Sequence, residues 1–432
     1  MVWQDLMMAN TIYPADSSFT QNVLAEVKDN VLRLSHHPSI IHWCGNNEIN
    51  VAWHNWGWQK TYKLKKKHQK LLYDNYQEVF MQKIPDLLKD HLSYAPYSHT
   101  SPLSNWGTPE NYQHGSMHHW GVFHGEEPFD SYEENIGRFN SEYGFQSFPH
   151  INILKDEIGV QALDLEHAAL EHRQKSYKGN RLIYKHLAEY YPQPRSLLEL
   201  SYLSQLTQAM GISMAIKAHR LDQPRCMGTL YWQLNDCWPA ISWSGIDYNG
   251  QWRALHHRVK AAYEDCTFFP TKTNKGIILD FINDSSTDIS GVLTMDGEQV
   301  MALSLKAGEM MTREISCDWA GKEAVQLTWA HEAKTIEKII WQHSEKNWTP
   351  SPTEIQMELV TGPDGQALEL KADGWVRNLY LYSDEALHFA DNFFDLAPGV
   401  VKRIQLKGNG KRLPDPVEIK CLSMNEVLQR KN

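Results

Sequence analysis

The sequence predicts a multidomain fold: a (β/α)8 TIM barrel short of its first strands, followed by two immunoglobulin-like β-sandwiches. Two observations carry this expectation. Over residues 1–265, short apolar strands alternate with amphipathic helices, the pattern of parallel strands joined by crossover helices. Beyond residue 265 the helical period stops, and short β-rich segments follow one another between turn residues.

Taken in order, the first region offers strands at 2–8, 40–44, 93–97, 119–124, 138–143 and 228–234. Between them, residues 20–35 place Val23, Leu24, Val27, Val31 and Leu34 on one helical face, and residues 196–220 carry a comparable stripe. A closed barrel of this kind needs about eight strands. Six are visible, and the first begins at residue 2 with nothing upstream to pair with it, so the start of the barrel is expected to be missing. Residues 268–271 read as a linker, with strands beyond it at 276–283, 291–295, 324–329 and 338–342. A second break at 348–352 precedes strands at 355–360, 368–372, 376–383 and 401–406. The expected domains are therefore 1–265, 266–347 and 348–432, the last two each close to the size of an immunoglobulin-like module.

Composition narrows the function. With 42 basic against 52 acidic residues the net charge is −10, and the main basic run, from Lys63 to Lys70, lies on a helical pattern; a nucleic-acid partner is not expected. No stretch of about 18 apolar residues exists, so a membrane partner is not expected either. The six cysteines are widely spread without a CxxC pair, which reads as thiols rather than staples or metal ligands. Of 16 tryptophans, 11 precede residue 260, where indole faces either fill a core or stack on the apolar faces of sugars.

Two strings carry chemistry. IIHWCGNNE ends in Glu48, and RFNSEYGFQSFP holds Glu142 near its middle, each a carboxylate at or just past the end of a short apolar or aromatic run. Strand ends of a parallel barrel face one mouth, so carboxylates 94 positions apart in the sequence can converge there. Glycosidic cleavage needs such a pair, one to protonate the leaving oxygen and one to attack or to activate water. The doublet Asn46-Asn47 before Glu48 reads either as an amide for a sugar hydroxyl or as an Asn-rich turn. His114, His118, His119 and His124 read as hydrogen-bonded polar groups rather than a metal site.

HPSIIHW before GNNE, SEYGFQSFP, YWQLNDCWPAISWSGIDYNGQWRALHH, VWQDLMMANTIYP and ADNFFDLAPG together resemble the glycoside hydrolase family 2 β-mannosidases over essentially the whole chain. The resemblance implies a retaining exo-β-mannosidase that removes terminal non-reducing β-D-mannose from oligosaccharides, with no cofactor and no catalytic metal. It implies Glu48 as general acid/base, with a raised pKa in the free enzyme, and Glu142 as an ionised nucleophile. It gives Asn47 the sugar 2-hydroxyl, and Trp56 and Trp232 the terminal-sugar pocket. His118 and Trp120 are carried over as candidate pocket residues, because Ser116 stands where the family usually has Asp. The resemblance further implies missing N-terminal domains of the same enzyme as partners, weak activity of this chain alone, and a periplasmic or secreted setting in a bacterium or a lysosomal one in an animal. Two other readings stay open: a non-catalytic carbohydrate-binding or scaffold fragment, and another family 2 exo-β-glycosidase.

Overall fold

The structure is a computed structural model that describes residues 1–92, 94, 96–108, 112–331, 334–363, 365–384, 387–408 and 418–430. It divides into two compact units, one of Met1–Gly121, Asn135–Tyr143 and Gln223–Leu230, the other of Val122–Glu134, Gly144–Asp222 and Tyr231–Asn432.

In the first unit, β1 (Val2–Asp5), β2 (Ile40–Cys44) and β3 (Tyr97–Ser98) run parallel side by side, as do β4 (Ser104–Asn105), β5 (Ser116–His119) and β6 (Phe139–Tyr143). Parallel bridges between Ala9 and Asn47, Asn47 and Ser101, and Asn140 and Thr229 extend the pairing beyond the strands. Neighbours that are parallel and in chain order require crossovers, and helices supply them. The helix Ser17–Leu34 starts where Asp16 accepts a hydrogen bond from the Phe19 amide and ends after its Arg33 turn. Its valines 23, 27 and 31, four apart, are buried in one cluster with Leu6 and Met8 just past β1, Trp43 of β2, and Phe80, Ile84 and Leu88. Burial of each stabilises by about 1.5–3 kcal/mol.

Several expected boundaries move. The strand expected at 93–97 is Tyr97–Ser98, positions 93 and 95 lying outside the described residues. That expected at 119–124 lies earlier, at Ser116–His119, and residues 121–124 form a turn. The apolar run 228–234 contributes only the Thr229 bridge, because Met227 and Leu230 donate backbone hydrogen bonds to Arg138 and Asn140 while Tyr231 onward belongs to the other unit.

In the second unit, the helix Leu197–Leu221 begins at Ser196, whose hydroxyl accepts from the Glu199 amide, and is buried on nearly all faces. Beyond it, β7 (Cys266–Lys272), β8 (Gly276–Asn283) and β11 (Met310–Ser316) form one antiparallel sheet. Strands β9 (Ile289–Met295), β10 (Glu298–Leu305), β12 (Ala324–His331) and β13 (Lys334–Trp341) form another, and both share a core around Phe268, Phe281 and Trp329. The expected linker at 268–271 is thus inside β7: Phe268 and Phe269 are buried core residues, and Pro270 sits on an edge strand where its missing N–H is tolerated. A further four-stranded and three-stranded pair of sheets spans residues 355–422 around Leu370, Leu379, Phe394 and Ile404. All six cysteines are free; Cys44, Cys226 and Cys317 are buried and Cys237 is exposed.

Candidate active site

Glu48 follows β2 by four residues and takes a left-handed backbone, φ 63°. That conformation is disfavoured for a residue with a Cβ and persists where surroundings hold it. Here they do: the Glu48 amide donates to Ser101 O at 2.7 Å, the Asn47 amide to Met8 O at 2.9 Å, and Glu48 O accepts from Ala52 as the helix Ile49–Asn55 begins. Asn46 is fully buried and fully used. Its Nδ2 donates to His99 O (2.6 Å) and Tyr76 Oη (3.3 Å), and its Oδ1 accepts from Thr100 Oγ1 (2.8 Å) and the Ile49 amide (3.2 Å). Asn47 is only partly buried, and its side chain makes no hydrogen bond among the described residues. The two readings of the doublet are therefore divided between its members: Asn46 closes the turn, and Asn47 has an amide to offer.

Glu142 reaches the same place from β6. Pairing of β5 with β6 runs Met117 to Asn140, then His118 to Glu142, so Ser141 is an extra residue. Consecutive residues of a regular strand point to opposite faces, and a bulge removes that restriction. Ser141 Oγ lies 2.9 Å from Ser101 Oγ, while Glu142 Oε2 lies 3.4 Å from His118 Nδ1. The same Nδ1 is 2.9 Å from Glu48 Oε1. An oxygen of each carboxylate and this nitrogen all lie within 4.8 Å of one another.

Burial dominates the electrostatics. Glu142 is pushed up to about 7, first by loss of water and then by the charges of Glu48 and Asp5, against the opposing pull of His118 and a hydrogen bond from Trp120. Burial alone would lower His118, but Glu142 and Glu48 outweigh it and hold the imidazole above its ordinary value. The expectation of an ionised Glu142 therefore applies only above about neutral pH.

The structure brings together Glu48, Glu142, His118 and Trp120, with Asn47 adjoining Glu48. Trp56 caps the end of the helix Ile49–Asn55, is 44 % exposed, and meets Trp58 edge-on. Trp232 belongs to the second unit, is also 44 % exposed, and precedes a cis peptide to Gln233. There the segment after it is anchored by Arg253, fully buried, which donates from Nε to Asp247 (2.6 Å) and from Nη2 to Asp236 (2.9 Å). Of the other histidines considered, none joins the carboxylate cluster among the described residues. Sequence reasoning missed Ser101, Ser141 and Asp5. Ser141 adjoins Glu142 and Asp5 ends β1, but Ser101 carried no signal.

Comparison with known proteins adds to this geometry. A family model for a mannosidase Ig-fold domain matches residues 351–425. β-Mannosidase B of Aspergillus clavatus is 33% identical over 257 residues, 57% of this chain and 30% of that protein. The chain is similar in sequence to β-mannosidases. β-Mannosidase B of Thermothelomyces thermophilus aligns along 95% of the chain at 26% identity, which spans 54% of that relative. The chain thus spans from about a third to about half the length of these curated β-mannosidases. The crystal structure of β-D-mannosidase from Dictyoglomus thermophilum superposes over 98% of the chain and 53% of its own, with TM-score 0.82 and 23% identity, and so shares the fold.

Proposed function

We propose that the chain carries the two catalytic carboxylates of a retaining exo-β-mannosidase acting on terminal β-mannose of oligosaccharides. The observation that carries the reading is the separation of Glu48 and Glu142. An oxygen of each lies within 4.8 Å of the other, which favours the roughly 5 Å carboxyl separation of retention over the roughly 6.5–9.5 Å of inversion. In this reading Glu142 attacks the anomeric carbon while Glu48 gives its proton to the departing oxygen. Water then attacks the anomeric carbon of the glycosyl ester while Glu48 takes a proton from that water, which releases the sugar and regenerates both groups. Asn47 would hold the 2-hydroxyl, axial in mannose, and Trp56 and Trp120 would supply apolar faces for the sugar. The parallel strands of the first unit are read as part of the wall of a TIM barrel extending to residue 265, and 266–347 and 348–432 as two immunoglobulin-like sandwiches.

Hydrolysis of an aryl β-mannoside and of its glucoside epimer by the protein tests this, with Glu142→Gln as control. The expected outcome is turnover of the mannoside, loss of it in Glu142→Gln, and a roughly 10²–10⁴-fold loss in Glu48→Gln. Turnover of the glucoside alone would favour another exo-β-glycosidase, and turnover that survives Glu142→Gln would overturn the assignment.

A further inference from the structure

Most of the helix Leu197–Leu221 is buried, but Met210, Ser213, Met214 and Lys217 are only partly so, and their spacing puts them on one face. That face forms a wall of a cavity of about 310 Å³ within the second unit. Leu206, Met210 and Met214, four apart, and Phe269 of β7 make its apolar side. Arg258 of the helix Ala254–Ala262 and Lys338 of β13 make its cationic side. The volume falls at the lower end of those that hold small molecules, and methionine walls adapt to the shape of what they meet.

The positive charge in this cavity lacks a counter-ion. The Lys338 ammonium makes no hydrogen bond or ion pair among the described residues. Burial first, then Arg258 and Lys334, lower it to about 8 against the pull of Glu264 and Asp391. Those two carboxylates are already paired, Glu264 with Lys334 at 2.5 Å and Asp391 with Lys402 at 2.9 Å. Glu345 also lines the cavity but is held by Arg377 at 3.0 Å, and Lys217 donates to Thr271 Oγ1 at 2.6 Å. Glu337, the neighbour of Lys338 on β13, is exposed. Arg258 uses Nη2 on Asn378 Oδ1 at 2.6 Å and has further N–H groups to donate. A cation withdrawn from water without a partner is costly, so an anion that enters here is favoured.

We propose that the cavity binds a small amphipathic carboxylate, its head on Lys338 and Arg258 and its alkyl chain along Leu206, Met210 and Met214. This goes beyond the hydrolase reading and does not depend on it. Two carboxylate oxygens can accept from an ammonium and a guanidinium at once, and such charge-assisted bonds are the strong ones. The apolar side then selects for a hydrocarbon tail.

The test is isothermal titration calorimetry of the whole protein at neutral pH with four probes: sodium octanoate, sodium butanoate, inorganic phosphate and uncharged 1-octanol. One octanoate per chain is expected, bound more tightly than butanoate by up to about fourfold for each extra CH₂. Lys338→Met, similar in length but uncharged, should weaken octanoate by about tenfold or more. Met214→Trp, which fills the apolar side and leaves both cations, should weaken it as well. Above pH about 8 the wild-type affinity should fall by up to about tenfold per unit as Lys338 loses its proton, and Lys338→Met should lack that dependence. No binding of millimolar octanoate to the folded wild type would overturn the proposal without recourse to any variant. So would octanol or phosphate binding as tightly as octanoate, or unchanged affinity in folded Lys338→Met. None of these results turns on hydrolysis of a mannoside, so failure here and failure of the hydrolase reading are separable.

Discussion

At Glu142 stability and chemistry pull against each other. Its carboxyl is raised from an ordinary 4.5 to about 7, so the folded protein prefers it neutral, whereas the nucleophile role proposed for it needs it ionised. A group raised in the folded state stabilises fully below its unfolded value, and that contribution is lost as pH rises through the folded one. Glu142→Gln should therefore unfold at the wild-type temperature below pH 4.5 and at a higher one above about pH 7, which thermal unfolding across that range would reveal. Equal unfolding temperatures at pH 8 would contradict the burial argument. The asparagine doublet makes a second pair of predictions. Asn46→Ala strands Thr100 Oγ1 and His99 O and should destabilise by about 1–3 kcal/mol in denaturant unfolding. Asn47→Ala should leave stability unchanged and lower kcat/KM for β-mannosides by about tenfold or more, as loss of one hydrogen bond to the sugar requires. Both glutamates and Asn47 stood out in the sequence as candidates because each adjoins or ends a run with a marked apolar or aromatic pattern. Ser101 was not, since its partners Ser116, His118 and Ser141 lie 15 to 40 positions away.

Among elements, the bulge between β5 and β6 does most to form the site, and no residue type in Phe139–Tyr143 announces it. The segment after Trp232 shows the complementary case. The apolar run 228–234 predicts a strand through Trp232, but the residues beyond it are organised by charge. Asp236 and Asp247 meet on Arg253, His150 adds a bond to Asp247 at 2.6 Å, and Ser242 and Ser244 donate to Asp236. Burial raises Asp236 despite its arginine, whereas at Asp247 burial is overcome by Arg253 and His150, which hold it down to about 2. Removing one partner of such a cluster leaves a buried charge uncompensated, which typically destabilises by about 3–5 kcal/mol. Arg253→Ala is expected to lie in that range by denaturant unfolding; a loss below about 1 kcal/mol would mean the cluster is solvated in solution. In β7 the same lesson has an apolar form, since Phe-Phe-Pro reads as a break until Phe281 and Trp329 are seen beside Phe268.

For the whole molecule, the two compact units are interleaved in sequence, with residues 135–143 and 223–230 returned to the first after excursions into the second. Chains built of separate units commonly unfold in more than one step. Far-ultraviolet circular dichroism and tryptophan fluorescence should give denaturation midpoints that do not coincide, and a mannose-configured inhibitor should shift the transition of the unit holding Glu48 and Glu142. A single coincident transition at every probe would show the units to be one cooperative body. By itself the sequence determined the strand–helix alternation, the change to antiparallel sheets and the choice of two glutamates as candidates, because these rest on local periodicity and on residues beside one another. Only the tertiary structure decided which carboxylate oxygens meet, that His118 stands between them, that Asn46 is spent on the turn while Asn47 is not, and that Glu142 is raised. Distances, burial and hydrogen-bond partners come from segments far apart in the chain, and no local pattern encodes them.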